Sequence, residues 1–105
     1  MSNDTKIEDM ILRKGLTAPR ITPARIEELI NRVSHTYEVQ GTSTFCHAFL
    51  DGKFYLASGH SACVSPENFD AGVGRSVAFS NMATAMRNKL WELEGYALYK
   101  EMNNV

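Results

Sequence analysis

Two cysteines and two of the three histidines of this chain fall within one short stretch, FCHAFLDGKFYLASGHSAC, residues 45–63. Side chains of these types bind zinc, or act as nucleophile and base, when a fold brings them together. The zinc reading would use Cys46, His60 and Cys63. It fails on local geometry: Cys46 and His47 are neighbours whose side chains leave a strand on opposite faces, and no C-x-x-C pair is present. Three candidates also leave a structural tetrahedral site incomplete. A nucleophilic thiol needs a lowered pKa and a histidine held by a third group. His60, Cys63 and an acid such as Glu67 or Asp70 could form such a triple, but a small domain with three histidines offers one by chance. No paired-carboxylate, phosphate-loop or nucleophile-elbow motif occurs. The preferred reading makes Cys46 and Cys63 small buried apolar residues. The sequence thus predicts no catalytic residue, no metal site and no cofactor.

Binding has more support. SGHSACVSPENFDAGVG, residues 58–74, concentrates Gly, Ser and Asn ahead of a helix start, a combination that can present backbone N–H groups to an anion. The candidate ligand residues are Gly59, His60, Ser61, Ser65, Asn68, Asp70 and Arg75; the plainer alternative is a capped loop leading into a helix. A second feature is aromatic. If Cys46, Ala48, Phe54 and Leu56 face the core, then Phe45, His47, Phe49 and Tyr55 share the opposite face and need a cover. Base stacking is one such cover. Eleven basic residues against twelve acidic ones give a charge of -1 and no basic stripe, which argues against nucleic acid. No apolar run approaches a membrane span, and MSNDTKIEDM lacks the pattern of a secretory signal. A cytosolic protein with reduced thiols is the expectation.

These residues need elements to position them. Residues 1–5 are polar and expected to be disordered, and KIEDMILRKGL reads as a short helix stopped by Gly15. Thr22 as N-cap and Pro23 at the first helical position start a second helix, given as 22–33, with Ile26, Leu29, Ile30 and Val33 on one stripe. HTYEV reads as a strand before the loop QGTS. Asp51-Gly52 then centres a β-hairpin over 44–59; a three-residue Leu50-Asp51-Gly52 turn would set Phe49 opposite Lys53, whereas a two-residue Asp-Gly turn would give other cross-strand pairs, so the register stays open. Ser65 and Pro66 can open a helical turn, and Asp70 can cap a long helix over 71–100. In that helix Phe79, Met82, Met86, Leu90, Leu93 and Ala97 form one stripe, and Val77, Trp91 and Leu98 a second, roughly 150° away. The result is a single α+β domain over 1–105: a small three-stranded antiparallel sheet with N-terminal helices and a long C-terminal helix packed on it. Adding the surplus apolar surfaces, Phe45, Phe49, Tyr55, Val77, Trp91 and Leu98, predicts self-association as a dimer.

TFCHAFLDGKFYLASGHSACVSPENFD, GRSVAFSNMA and KLWELEGYAL together resemble the small tailed-phage protein family named after gene 49 and gene 66 of two podophages. The likeness spans about residues 20–100, with Gly59, Ser61, Asn68, Phe69, Asp70, Gly74, Ala78, Trp91, Gly95 and Tyr96 matching best. The resemblance implies a setting and no chemistry: a small accessory protein in the cytoplasm of an infected bacterium that binds and modulates a host component without catalysis. The alternative is a small-molecule sponge that sequesters a nucleotide-like anionic signal at the 58–70 loop, as counter-defence. A cysteine or zinc enzyme is the third reading and the weakest.

Overall fold

The computed structural model describes residues 3–15 and 18–104. Helix α1 runs Asn3–Arg13, so residues 3–5, expected to be disordered, are helical and Asp4 is tied down by α3; residues 1 and 2 lie outside the described residues. The Gly15 N–H donates to the Leu12 carbonyl, 3.1 Å, as the helix stops there. Helix α2 covers Pro23–Ile30, and the Thr22 hydroxyl accepts from the Arg25 N–H at 3.2 Å, the cap its sequence announces. It ends three residues short of the expected boundary. Asn31 closes the last turn, and Val33 already pairs with Leu50 as the first residue of β1. Val33 sits on the same core as the α2 stripe, so strand and helix geometry both satisfy its burial.

Strands β1 (Val33–Gln40), β2 (Ser43–Leu50) and β3 (Phe54–Ala62) form an antiparallel meander in the order β1-β2-β3. The first turn, Gly41-Thr42, falls within the predicted QGTS loop. The second turn takes a register that neither turn length anticipates. Asp51 and Gly52 both take positive φ, 56° and 69°, and the loop is Asp51-Gly52-Lys53, so that Leu50 pairs with Phe54 and Phe49 with Tyr55. A bulge at Ala48/Phe49 absorbs the extra residue, and both Leu56 and Ala57 are buried. Phe54, expected in the core, lies at the sheet's end and is half exposed.

Helix α3 spans Ala71–Asn103, three residues past the expected end, and crosses β3 and β2 on one face of the sheet. Its buried residues are Gly74, Ala78, Met82, Met86 and Leu90, one every four. Four residues turn the helix about 400°, so this line drifts about 40° per step. The drift carries the contact from the sheet toward α2, whose Ile26 and Leu29 belong to the same core. The predicted stripe therefore holds only for Met82, Met86 and Leu90; Phe79, Leu93 and Ala97 are exposed. What the pattern lacks is Gly74 and Ala78, too small to register as apolar signals. Their smallness is the point: at Gly59 of β3 an added methyl would lie 2.1 Å from the Ala78 carbonyl oxygen, and at Gly74 one would lie 2.7 Å from the Thr44 hydroxyl. The helix rests on the sheet through these two glycines.

Candidate functional site

With α3 on one face, no helix packs across the other face of the sheet among the described residues. Strand alternation and the register place Glu38 of β1, Phe45, His47 and Phe49 of β2, and Tyr55, Ser58 and His60 of β3 there. The aromatic face expected from the sequence is present and extends further. Phe45 lies nearly parallel to two imidazoles, with ring centroids 4.6 Å from His60 and 6.1 Å from His47. Phe49 meets Tyr55 edge-on at 5.8 Å.

A hydrogen-bonded chain that sequence reasoning missed runs beside these rings. Glu38 Oε1 lies 3.1 Å from His47 Nε2, His47 Nδ1 lies 2.6 Å from Ser58 Oγ, and Ser58 Oγ lies 2.8 Å from the Tyr55 hydroxyl. The three strands contribute one member or two each. Only the cross-strand register, His47 opposite Ser58 and Glu38 opposite Phe45, could have revealed it. An acid, an imidazole and a serine in that order have the composition of a nucleophile relay. The setting differs: the chain lies open on a sheet face, Glu38 is mostly solvated, and the serine oxygen is held by both His47 and the Tyr55 hydroxyl. The arrangement orients rings and polar groups for contact.

The second region is the loop between β3 and α3. A cavity of about 370 Å³ is lined by Thr42, Ser61, Cys63, Asn68, Phe69, Asp70, Val73 and Val77. Three of the predicted ligand residues, Ser61, Asn68 and Asp70, meet here; the other four do not line it. Gly59 is pressed under α3, His60 turns to the aromatic face, and Ser65 and Arg75 stand outside. Asp70 caps α3, its Oδ1 accepting from the Val73 N–H at 2.8 Å. Ser65, expected to cap the turn at Pro66–Asn68, accepts no backbone N–H there and donates to Glu67 Oε2 at 2.9 Å. The Thr42 hydroxyl binds the Cys63 carbonyl, closing one wall.

The cysteines occupy separate places. Cys46 is fully buried on the inner face, and burial pushes its thiol pKa up. Cys63 is half-buried at the cavity and donates to the Ser65 carbonyl, 3.1 Å. Cys46 and His60 lie on opposite sheet faces, so the zinc candidates cannot converge.

The six residues counted as surplus apolar surface fall in several places. Phe45, Phe49 and Tyr55 are on the outer sheet face, Val77 lines the loop cavity, and Leu98 lies on the part of α3 that overhangs the sheet. Trp91 is turned against α1, its Nε1 donating to Asp4 Oδ2 at 3.2 Å. Arg87 donates to the same oxygen at 2.8 and 3.0 Å and pairs with Glu27 of α2 at 2.8 Å, joining all three helices. The second side of the long helix needs either the N-terminal helices or another subunit, and α1 and α2 supply it around Arg87 and Trp91.

The fold is a three-stranded antiparallel meander with one long helix laid across one face and an aromatic row on the other. Residues 21–102 match the profile of the phage protein (N4 Gp49/phage Sf6 gene 66) family, and the chain belongs to that family. The matched region contains the whole sheet, the loop cavity and nearly all of α3, and leaves out α1. No curated protein and no solved structure matches the chain. Among the described residues no helix is long and apolar enough to cross a membrane.

Proposed function

We propose that this phage protein works by binding, without catalysis of its own, and that it modulates a component of the infected cell through the outer face of its sheet. The observation that carries this reading is the uncovered row of His47, Phe45 and His60 with Phe49 and Tyr55 beside it, on rigid strands that α3 supports from behind. A polypeptide partner suits this face better than a nucleobase. Phe45 has one ring face already taken by His60, and Glu38 adds negative charge where a phosphate chain would pass. Affinity capture from a bacterial lysate with the wild-type chain and with the double variant Phe45→Ala, Tyr55→Ala tests it. A host protein retained by the first and lost by the second is the expected result; identical captures overturn the reading.

The loop cavity favours a second reading, the small-molecule sponge. Its volume falls within the range of ligand pockets, and Ser61, Asn68 and the first turn of α3 supply polar groups along one side. A nucleotide-like anion there would have to avoid the Asp70 carboxylate while using the free N–H groups of the helix start. A thermal-shift screen with nucleotides and cyclic nucleotides separates the two readings. A ligand at a hundred times its dissociation constant stabilises by about 2.7 kcal/mol, and Asn68→Ala should remove the shift; a flat screen counts against the sponge.

A further inference from the structure

Strand β1 is one of the two edge strands of the sheet and, apart from the Glu38 carboxylate, carries none of the features that keep sheet edges apart. Its eight residues, VSHTYEVQ, include no proline, no glycine and no lysine, and its pairing with β2 is regular along its whole length. The one bulge lies between β2 and β3. The Arg32 carbonyl accepts from the Asp51 N–H at 3.0 Å, so even-numbered residues turn their backbone groups toward β2. Those of Val33, His35, Tyr37 and Val39 therefore point out of the sheet, with no strand among the described residues to receive them. Helix α3 covers β3 and β2 and hardly reaches β1, which leaves the inner side of this strand as an apolar strip. Tyr37 is 40% exposed, Val39 52% and Phe79 of α3 41%, with His35 against Phe79 at 5.1 Å.

We infer that two copies of this chain associate by pairing their β1 strands antiparallel about a twofold axis, joining the two sheets into one of six strands. The strand's own residues select this occupant. A twofold axis normal to the sheet keeps inner side chains on the inner side, so residues of like parity face each other. Centring the axis on Thr36 sets Thr36 opposite Thr36, Tyr37 opposite His35, Val33 opposite Val39 and Glu38 opposite Ser34. Each is a favourable or neutral cross-strand pair, and the only charged residue of the strand never meets its own copy. Centring on Glu38 would place two carboxylates face to face and is excluded on that ground. The exposed strips of the two copies adjoin beneath the seam, where Tyr37, Val39 and Phe79 of both form one surface. The contact is on the order of 1,000 Å² in total, at the low end for specific association, so the dimer should form with rising concentration. The seam is separate from the loop cavity and borders the aromatic face at Glu38.

Light scattering across a concentration series is the test. The wild-type mass should climb from 11.7 kDa toward twice that value. Val39→Lys, which points a charge inward at the edge of an already exposed site, should weaken association about tenfold or more while leaving the circular dichroism unchanged. Thr36→Cys should cross-link into a covalent dimer under mild oxidation, with the wild type as control, because residues at the axis face each other in a non-hydrogen-bonded pair about 4.5 Å apart at Cα. A mass of 11.7 kDa at every concentration overturns the inference, including the case in which an unrelated peptide strand fills the edge. So does a dimer that Val39→Lys leaves intact and Thr36→Cys does not trap.

Discussion

At the scale of single residues, Gly59 is the most closely packed of the glycines. A methyl group there would meet the Ala78 carbonyl oxygen and, at 2.2 Å, the Met82 amide nitrogen. Both are backbone atoms of α3, so neither can rotate away and the helix would have to lift. Gly59→Ala is expected to destabilise by about 3 kcal/mol or more, read as a lowered urea midpoint. Gly95 is the control: space around it is open, and Gly95→Ala in the same helix should stabilise by about 0.5–1 kcal/mol. The thiols give a second expectation at this scale. Cys46 is buried, and burial raises its pKa against a smaller opposing effect of Tyr37, whereas Cys63 is half open. Titration with a thiol reagent at neutral pH should count one fast group in the native protein and two in denaturant; equal rates for both would mean that the sheet does not seal Cys46.

At the scale of elements, what was legible in the sequence is what neighbouring residues encode. Thr22-Pro23, Asp51-Gly52 and Asp70 each act within three or four residues, and each marks a helix start or a turn in the structure. The bulge at Ala48/Phe49 and the Glu38–His47–Ser58–Tyr55 chain depend on register between strands, which no single strand contains. The contact line of α3 was misread for a different reason: close packing selects Gly74 and Ala78, while apolar periodicity rewards large side chains. The hairpin turn has a pH signature. Two hydrogen bonds from Arg32, 2.9 and 2.6 Å, hold the Asp51 carboxyl below its usual range. A group whose folded pKa is depressed adds stability above its unfolded value and loses it as the pH falls through the folded one. Thermal stability of the wild type should therefore decline below about pH 4 more steeply than that of Asp51→Asn. For α1, Asp4 is the anchor, accepting from Arg87 and Trp91. Asp4→Ala should cost about 2 kcal/mol and shift Trp91 fluorescence to the red as the helix swings away; unchanged emission would mean that α1 stays in place without this anchor.

At the scale of the whole molecule, the shape follows from one length mismatch. Thirty-three helical residues extend about 50 Å at 1.5 Å each, while strands of eight or nine residues extend about 30 Å. The excess leaves the C-terminal turns of α3 beyond the sheet, with Tyr96, Tyr99 and Met102 more than half exposed. The molecule measures 56 × 30 × 20 Å, and its radius of gyration of 17.3 Å exceeds the roughly 13 Å of a compact domain this size. Core packing ends at Leu90, and the last tie between α3 and α2 is the Arg25–Glu94 pair at 2.9 Å. A chain ending at Glu94 keeps both, so it should unfold cooperatively with Trp91 emission unchanged, and its radius of gyration should fall toward the compact value in small-angle scattering. The measurement belongs in the Val39→Lys background, where association through β1 does not enlarge the particle. A chain ending at Lys89 loses Leu90 and Trp91 together and is expected not to fold. If the chain ending at Glu94 also fails to unfold cooperatively, the overhang stabilises the domain through contacts beyond that ion pair, and Leu98, half-buried on the overhang, is the first residue to substitute.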